Sequence, residues 1–220
     1  MVNLKKIVKM AELSFVNAQR LHFDSIYLFR NKSYPSAFFL SVLAQEEMGK
    51  FFLLDDFVWH SRIDGRYPED LEVELVSQIF SHPIKQKQFI LKSGAAIDNS
   101  LLYKNFVRDV FSNSLEIKKQ NAIYVGLPKN KGKLNIKGKI INPSSVTKEK
   151  AEKQITIIND NFLDFIYGVY CGYYICDNDN LDKKINRKIL QKMDKTWKLR
   201  GKFRKTINFK GKIINLEKNE

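Results

Sequence analysis

Glu46, Glu47 and Lys50 are the residues of this chain best suited to chemistry. They stand in the run Gln45-Glu46-Glu47-Met48-Gly49-Lys50, between Phe38, Phe39, Leu40, Val42 and Leu43 on one side and Phe51, Phe52 and Leu54 on the other. If so apolar a stretch is helical, at least one carboxylate is buried, and a buried carboxylate is costly unless paired and hydrogen-bonded. Glu47 continues the helical face of Leu40, Ala44, Phe51 and Leu54, which makes it the carboxylate expected to be inaccessible. Glu46 precedes Lys50 by one turn, the favourable order for an i,i+4 pair. Lys50, Asn17, Asp24 and His82 are the polar candidates to satisfy the buried group, Asn17 and Asp24 sharing a face with Leu21. Such a cluster serves either as a structural polar network that fixes helix register or as a catalytic or ligand site.

Ser81-His82-Pro83-Ile84-Lys85 carries the signals of a helix start, with His82 placed to carry a proton and Lys85 to contact an anion. The chain has three histidines, His22, His60 and His82, and no spaced ligand motif, so neither a metal nor a cofactor is expected. The lysine- and glycine-rich run 132–139 lacks the glycine spacing and the hydroxyl of a phosphate loop.

The elements that must position these groups read as helices. Apolar residues recur at helical spacing from Leu4 to Phe29, and the intensely apolar run Ser36 to His60 follows Pro35. The acidic 64–74 region reads as a connection or short helix, followed by helices from about Pro83 to Lys92 and from about Ser100 to Lys119. Between Tyr124 and Pro143, glycines and the alternating Leu134, Ile136 and Ile140 suggest a small β-hairpin. Ile155, Ile158, Phe162, Phe165, Val169, Tyr173 and Cys176 then mark a long one-sided helix, and Leu181 to Trp197 a further one. The expected fold is all-α: an antiparallel bundle of four to six helices over residues 1–180, with 121–144 as a hairpin loop insertion and 181–220 as a basic C-terminal helix and arm.

The 220 residues suit one such core. Cys171 and Cys176 match no zinc or disulfide framework and read as reduced thiols of a cytosolic protein. Asn159, Asp160, Asn161 and Asp164 interrupt the one apolar stretch long enough to span a membrane, so no span is expected. Of the net charge of +14, the segment Lys183 to Lys212 alone carries thirteen Lys or Arg against Asp194. That density points to an anionic partner, nucleic acid first, with Lys198, Arg200, Lys202, Arg204 and Lys205 as contacts. Trp197, Phe203 and Phe209 among them either stack on bases or dock onto the bundle.

Asn17-Ala18 through Leu21 and Asp24, Tyr34-Pro35-Ser36-Ala37 and Leu43-Ala44-Gln45-Glu46-Glu47-Met48-Gly49-Lys50 together resemble the AbiV family of abortive infection proteins. His82 with Lys85, and Lys118-Lys119-Gln120-Asn121-Ala122-Ile123-Tyr124-Val125 before a Gly-rich loop and Pro143, extend the resemblance over residues 12–175. It implies a HEPN-like bundle, a homodimer, a role in phage resistance, and RNA, a ribosome-associated component or a phage-encoded protein as partner. It also implies a polar site of Glu46, Glu47, Lys50, His82, Lys85, Lys119 and Tyr124. HEPN ribonucleases carry an Arg followed within five to seven residues by His, and none of the eight arginines here is so followed. Lys119 and Tyr124 are the nearest substitute, and a phenol is a poor general base near neutral pH.

Overall fold

The computed structural model describes residues 4–63, 69–93, 100–127, 129–130, 133–170 and 187–197. Helices α1 (Leu4–Arg30) and α2 (Tyr34–Ile63) form a long antiparallel hairpin. Its turn is closed by Lys32 in the left-handed region, with φ 62°, and by the Ser33 amide donating to the Leu28 carbonyl at 3.0 Å. Pro35 falls in the first turn of α2, where its missing N–H has no intrahelical partner to lose. Helix α2 is the centre of the molecule, packed against α1, α3 (Glu69–Phe80), α4 (His82–Lys92), α6 (Ser114–Asn121) and α7 (Lys148–Tyr170).

An aromatic cluster joins the three longest helices. Phe51 lies 5.5 Å from Phe15 of α1 and 5.3 Å from Phe165 of α7, and Phe52 lies 5.4 Å from Phe165, all tilted or edge-on. These are the geometries ring quadrupoles favour, in addition to the apolar area buried. In α7 the expected stripe is present as far as it is described: Ile155, Ile158 and Phe162 are fully buried, and Phe165 nearly so. The expected continuation through Cys171, Tyr173 and Cys176 lies outside the described residues. None of the described helices is long and apolar enough to cross a membrane.

Three expectations change. Where the acidic region suggests at most a short helix, α3 begins at Glu69 and runs twelve residues to Phe80. The helix expected over 100–119 divides into α5 (Leu101–Phe111) and α6, because Asn113 adopts φ 58° and the chain turns there. Asn is among the few non-glycine residues that tolerate this region. In place of a packed hairpin, β1 (Lys129–Asn130) and β2 (Lys133–Leu134) pair over two residues each, beyond which Gly126 bridges Ile141. Ile136 and Ile140, read as an alternating stripe, are both exposed, so they supply no buried face to support a longer ladder.

The last described helix, α8 (Arg187–Thr196), lies against α7 with Met193 fully buried. Trp197 meets Phe29 edge-on at 5.1 Å, and its indole N–H donates to Thr156 Oγ1 at 2.9 Å. Residues 187–197 of the basic segment are therefore docked on the bundle, and of the two roles read for Trp197 docking is the one found. Phe203, Phe209, Lys198, Arg200, Lys202, Arg204 and Lys205 lie outside the described residues.

Candidate functional site

Glu46 is the buried carboxylate of α2, 2% exposed, and three donors converge on it from two other helices. Its Oε1 accepts from Lys119 Nζ of α6 and from Gln86 Nε2 of α4, each at 2.7 Å. Its Oε2 lies 2.7 Å from Nδ1 of His82, the first residue of α4. A carboxylate can only accept, so this contact places the proton on Nδ1 and leaves Nε2 as the acceptor nitrogen of a side chain that is 49% exposed. Lys119, 2% exposed, also reaches Glu116 Oε2 at 2.7 Å, and Gln86 Nε2 touches the same oxygen at 3.1 Å. Two carboxylates thus share one ammonium, and His82 adds the balancing charge when protonated. Burial works to raise the Glu116 carboxyl, but hydrogen bonds from Lys119 and Gln120 and the charges of Lys119 and His82 outweigh it and hold it below its ordinary range.

The remaining expected residues divide. Lys85 is buried, and burial pushes its ammonium below the usual lysine value against the opposing pull of Glu46 and Glu47. Glu47 is half-buried and pairs at 3.9 Å with Lys50 of its own helix, so the expectation that Glu47 is the inaccessible carboxylate is overturned in favour of Glu46. The i,i+4 pair of Glu46 with Lys50 is likewise replaced by Lys119. Tyr124 is 61% exposed and joins no described member of the cluster. Asn17 and Asp24, read as partners across helices, both engage Arg20 on the exposed side of α1.

Gln86 and Glu116 were not singled out from sequence, and neither was the amide chain behind them. Gln154 Nε2 of α7 donates to Gln45 Oε1 at 3.1 Å, and Gln45 Nε2 points to the Gln86 carbonyl at 3.4 Å. A second buried pair also went unread: His22 Nε2 lies 3.0 Å from Asn159 Oδ1, and the His22 ring stacks on Phe162. Burial lowers the His22 pKa to about 4, against the hydrogen bond that His22 Nε2 donates to Asn159 Oδ1, so this imidazole is neutral and structural.

Glu46, His82 and Glu116 present ligand atoms within 4.8 Å of one another, the spacing of a possible metal seat. Lys119 already supplies a cation 2.7 Å from both carboxylates, and a divalent ion between them would meet that ammonium at short range. The donor set suits proton transfer at His82 better than metal ligation.

No curated protein and no solved structure matches the chain. The family model HEPN_AbiV, described as AbiV, matches residues 6–164, well over half the sequence and including every described member of the polar cluster. The chain therefore belongs to the AbiV family of HEPN-type abortive infection proteins.

Proposed function

We propose that this protein is an anti-phage effector that arrests infected cells by acting on RNA, with His82 as its proton-transfer group. The observation that carries the reading is the Glu46–His82 contact at 2.7 Å: a buried carboxylate fixes the tautomer and direction of an imidazole on a side chain that is about half exposed. That arrangement supplies what the absent Arg-to-His signature would otherwise provide. His82 Nε2 takes the proton of a ribose 2′-hydroxyl, and the 2′-oxygen attacks the adjacent phosphorus. The 5′-oxygen departs as its bond to phosphorus breaks, leaving a 2′,3′-cyclic phosphate and a 5′-hydroxyl once a proton is returned. Lys50, near the same carboxylates and 24% exposed, is the cation available to the phosphate. The site acts in the cytoplasm, in a homodimer, with the basic arm contributing affinity for the RNA.

Incubation of the purified protein with cellular RNA, with and without a chelator, followed by sequencing of the new ends, tests this. Cleavage that survives the chelator and disappears in His82→Ala and Glu46→Gln is expected. RNA that stays intact while those variants still protect cells would instead favour a non-catalytic module that sequesters RNA or a phage protein, for which the concentration of charge between Lys183 and Lys212 is the motivating observation.

A further inference from the structure

The chain between α6 and α7 presents apolar side chains where a turn ordinarily presents polar ones. The Gly138 amide donates to the Asn135 carbonyl at 2.9 Å, which closes a four-residue turn with Ile136 and Lys137 at its centre. Asn at the first position and Gly at the last suit such a turn; an isoleucine at its centre has no packing to gain there. Ile136 is 83% exposed, more than any other large hydrophobic among the described residues.

Two further aliphatic groups stand beside it. Gly126 and Ile141 exchange backbone hydrogen bonds at 3.1 and 2.7 Å, an antiparallel bridge that ties the two ends of the loop together. Side chains one residue to either side of such a bridge point to its same face, so Val125 and Ile140 share one, and they are 71% and 64% exposed. The charge around them has one sign. Residues 122–142 hold five lysines and no acid, and Lys137 and Lys139 are exposed with no ion-pair partner among the described residues.

Exposed apolar groups gathered in one place mark a binding surface. Base stacking calls for rings, whereas Val125, Ile136 and Ile140 are aliphatic. Aliphatic groups ringed by unpaired lysines complement a bilayer with an acyl interior and anionic headgroups. We infer that the turn Asn135–Gly138 and the bridged residues beside it dock on an anionic lipid membrane, with Val125, Ile136 and Ile140 entering the acyl boundary and Lys137 and Lys139 meeting the lipid phosphates. Contact of this kind lies on the bilayer surface and requires no spanning helix. It involves neither His82 nor Glu46 and does not depend on whether that pair cleaves RNA.

Flotation of the full chain with vesicles of phosphatidylcholine alone, and of phosphatidylcholine mixed with phosphatidylglycerol, tests the assignment. Binding to the mixed vesicles is expected, with the neutral ones weaker by about tenfold or more. Val125→Asn, Ile136→Asn and Ile140→Asn together leave the charge unchanged and should weaken binding by about tenfold or more, with circular dichroism unaltered because all three positions are exposed. Lys137→Gln with Lys139→Gln should weaken it by about tenfold. In Ile136→Trp, brominated lipid should quench fluorescence beyond the level seen with the parent. No flotation with the mixed vesicles, or flotation unchanged in the triple Asn variant, overturns the inference, the second outcome leaving attraction by charge alone. A triple variant that loses affinity for single-stranded RNA, in a protein that ignores vesicles, overturns it in favour of an RNA contact.

Discussion

Gly49 of α2 lies so close to the Lys85 carbonyl of α4 that a Cβ built on it would stand 1.9 Å from the oxygen. The contact is with backbone, which cannot swing aside, so the residue must lack a side chain for α4 to sit where it does. Gly49→Ala should therefore lower stability by about 1–3 kcal/mol or more, read as a reduced denaturant midpoint. Because His82 and Gln86 ride on α4, the same variant should also lose phage protection. A midpoint equal to that of the parent would show that the two helices can part without cost.

The Lys119–Glu46 ion pair is buried on both sides, so removing one partner strands the other. Lys119→Met is expected to cost about 3–5 kcal/mol. Glu46→Gln on the Lys119→Met background should recover part of that loss, because the uncompensated charge is gone. Strict additivity in the double-mutant cycle would rule out the coupling.

His22 gives the fold a pH dependence of known sign. Its folded pKa of about 4 lies below the ordinary histidine value of 6.5, so the unfolded chain binds the proton more readily, and stability present above pH 6.5 is lost as pH falls toward 4, by about 3 kcal/mol. The window closes below pH 4, where both states are protonated. His22→Leu should flatten that part of the stability profile relative to the parent; equal slopes would contradict the assignment.

Contact separates two residues that the resemblance assigns to one polar site: His82 meets Glu46 at 2.7 Å, and Tyr124 does not. Tyr124→Phe should retain phage protection, since the phenol is exposed and joins no described member of the cluster. His82→Ala should lose protection with its thermal midpoint little changed. The opposite ranking in a plaque assay would move the chemistry to Tyr124.

If about five cations of the basic arm engage a single strand, the logarithm of affinity should fall with the logarithm of salt at a slope of roughly −3.5. Changing Lys198, Arg200, Lys202, Arg204 and Lys205 to Gln should remove most of that slope. An unchanged slope in a filter-binding series would point to an acidic protein partner.

The sequence discloses the elements with strong period or strong punctuation. Helices α1, α2, α4 and α7 follow from apolar spacing and from Pro35 and Pro83, and the convergence of Glu46 with His82 and Lys119 follows from motifs carried by the family. Sequence alone does not choose Glu46 over Glu47, because a helix buried on almost every side has no unique inward face; the choice is made by α4 and α6, which pack on the Glu46 side. Helix α3 was under-read because its acids resemble a solvated connection, and the break at Asn113 because one left-handed residue leaves no periodic trace. Gln86 and Glu116 lie on short helices, where amides and acids are ordinary surface residues until a partner arrives from elsewhere.

Lys118 and Lys119 are neighbours in sequence, yet one pairs with Asp109 at the surface and the other is sealed against Glu46. Successive positions on a helix point about 100° apart, so the eight residues of α6 hold one lysine toward each compartment. A turn of this short rod cannot reposition one ammonium without displacing the other. The exposed ion pair with Asp109 and the buried one beside the imidazole are thus carried by one short element.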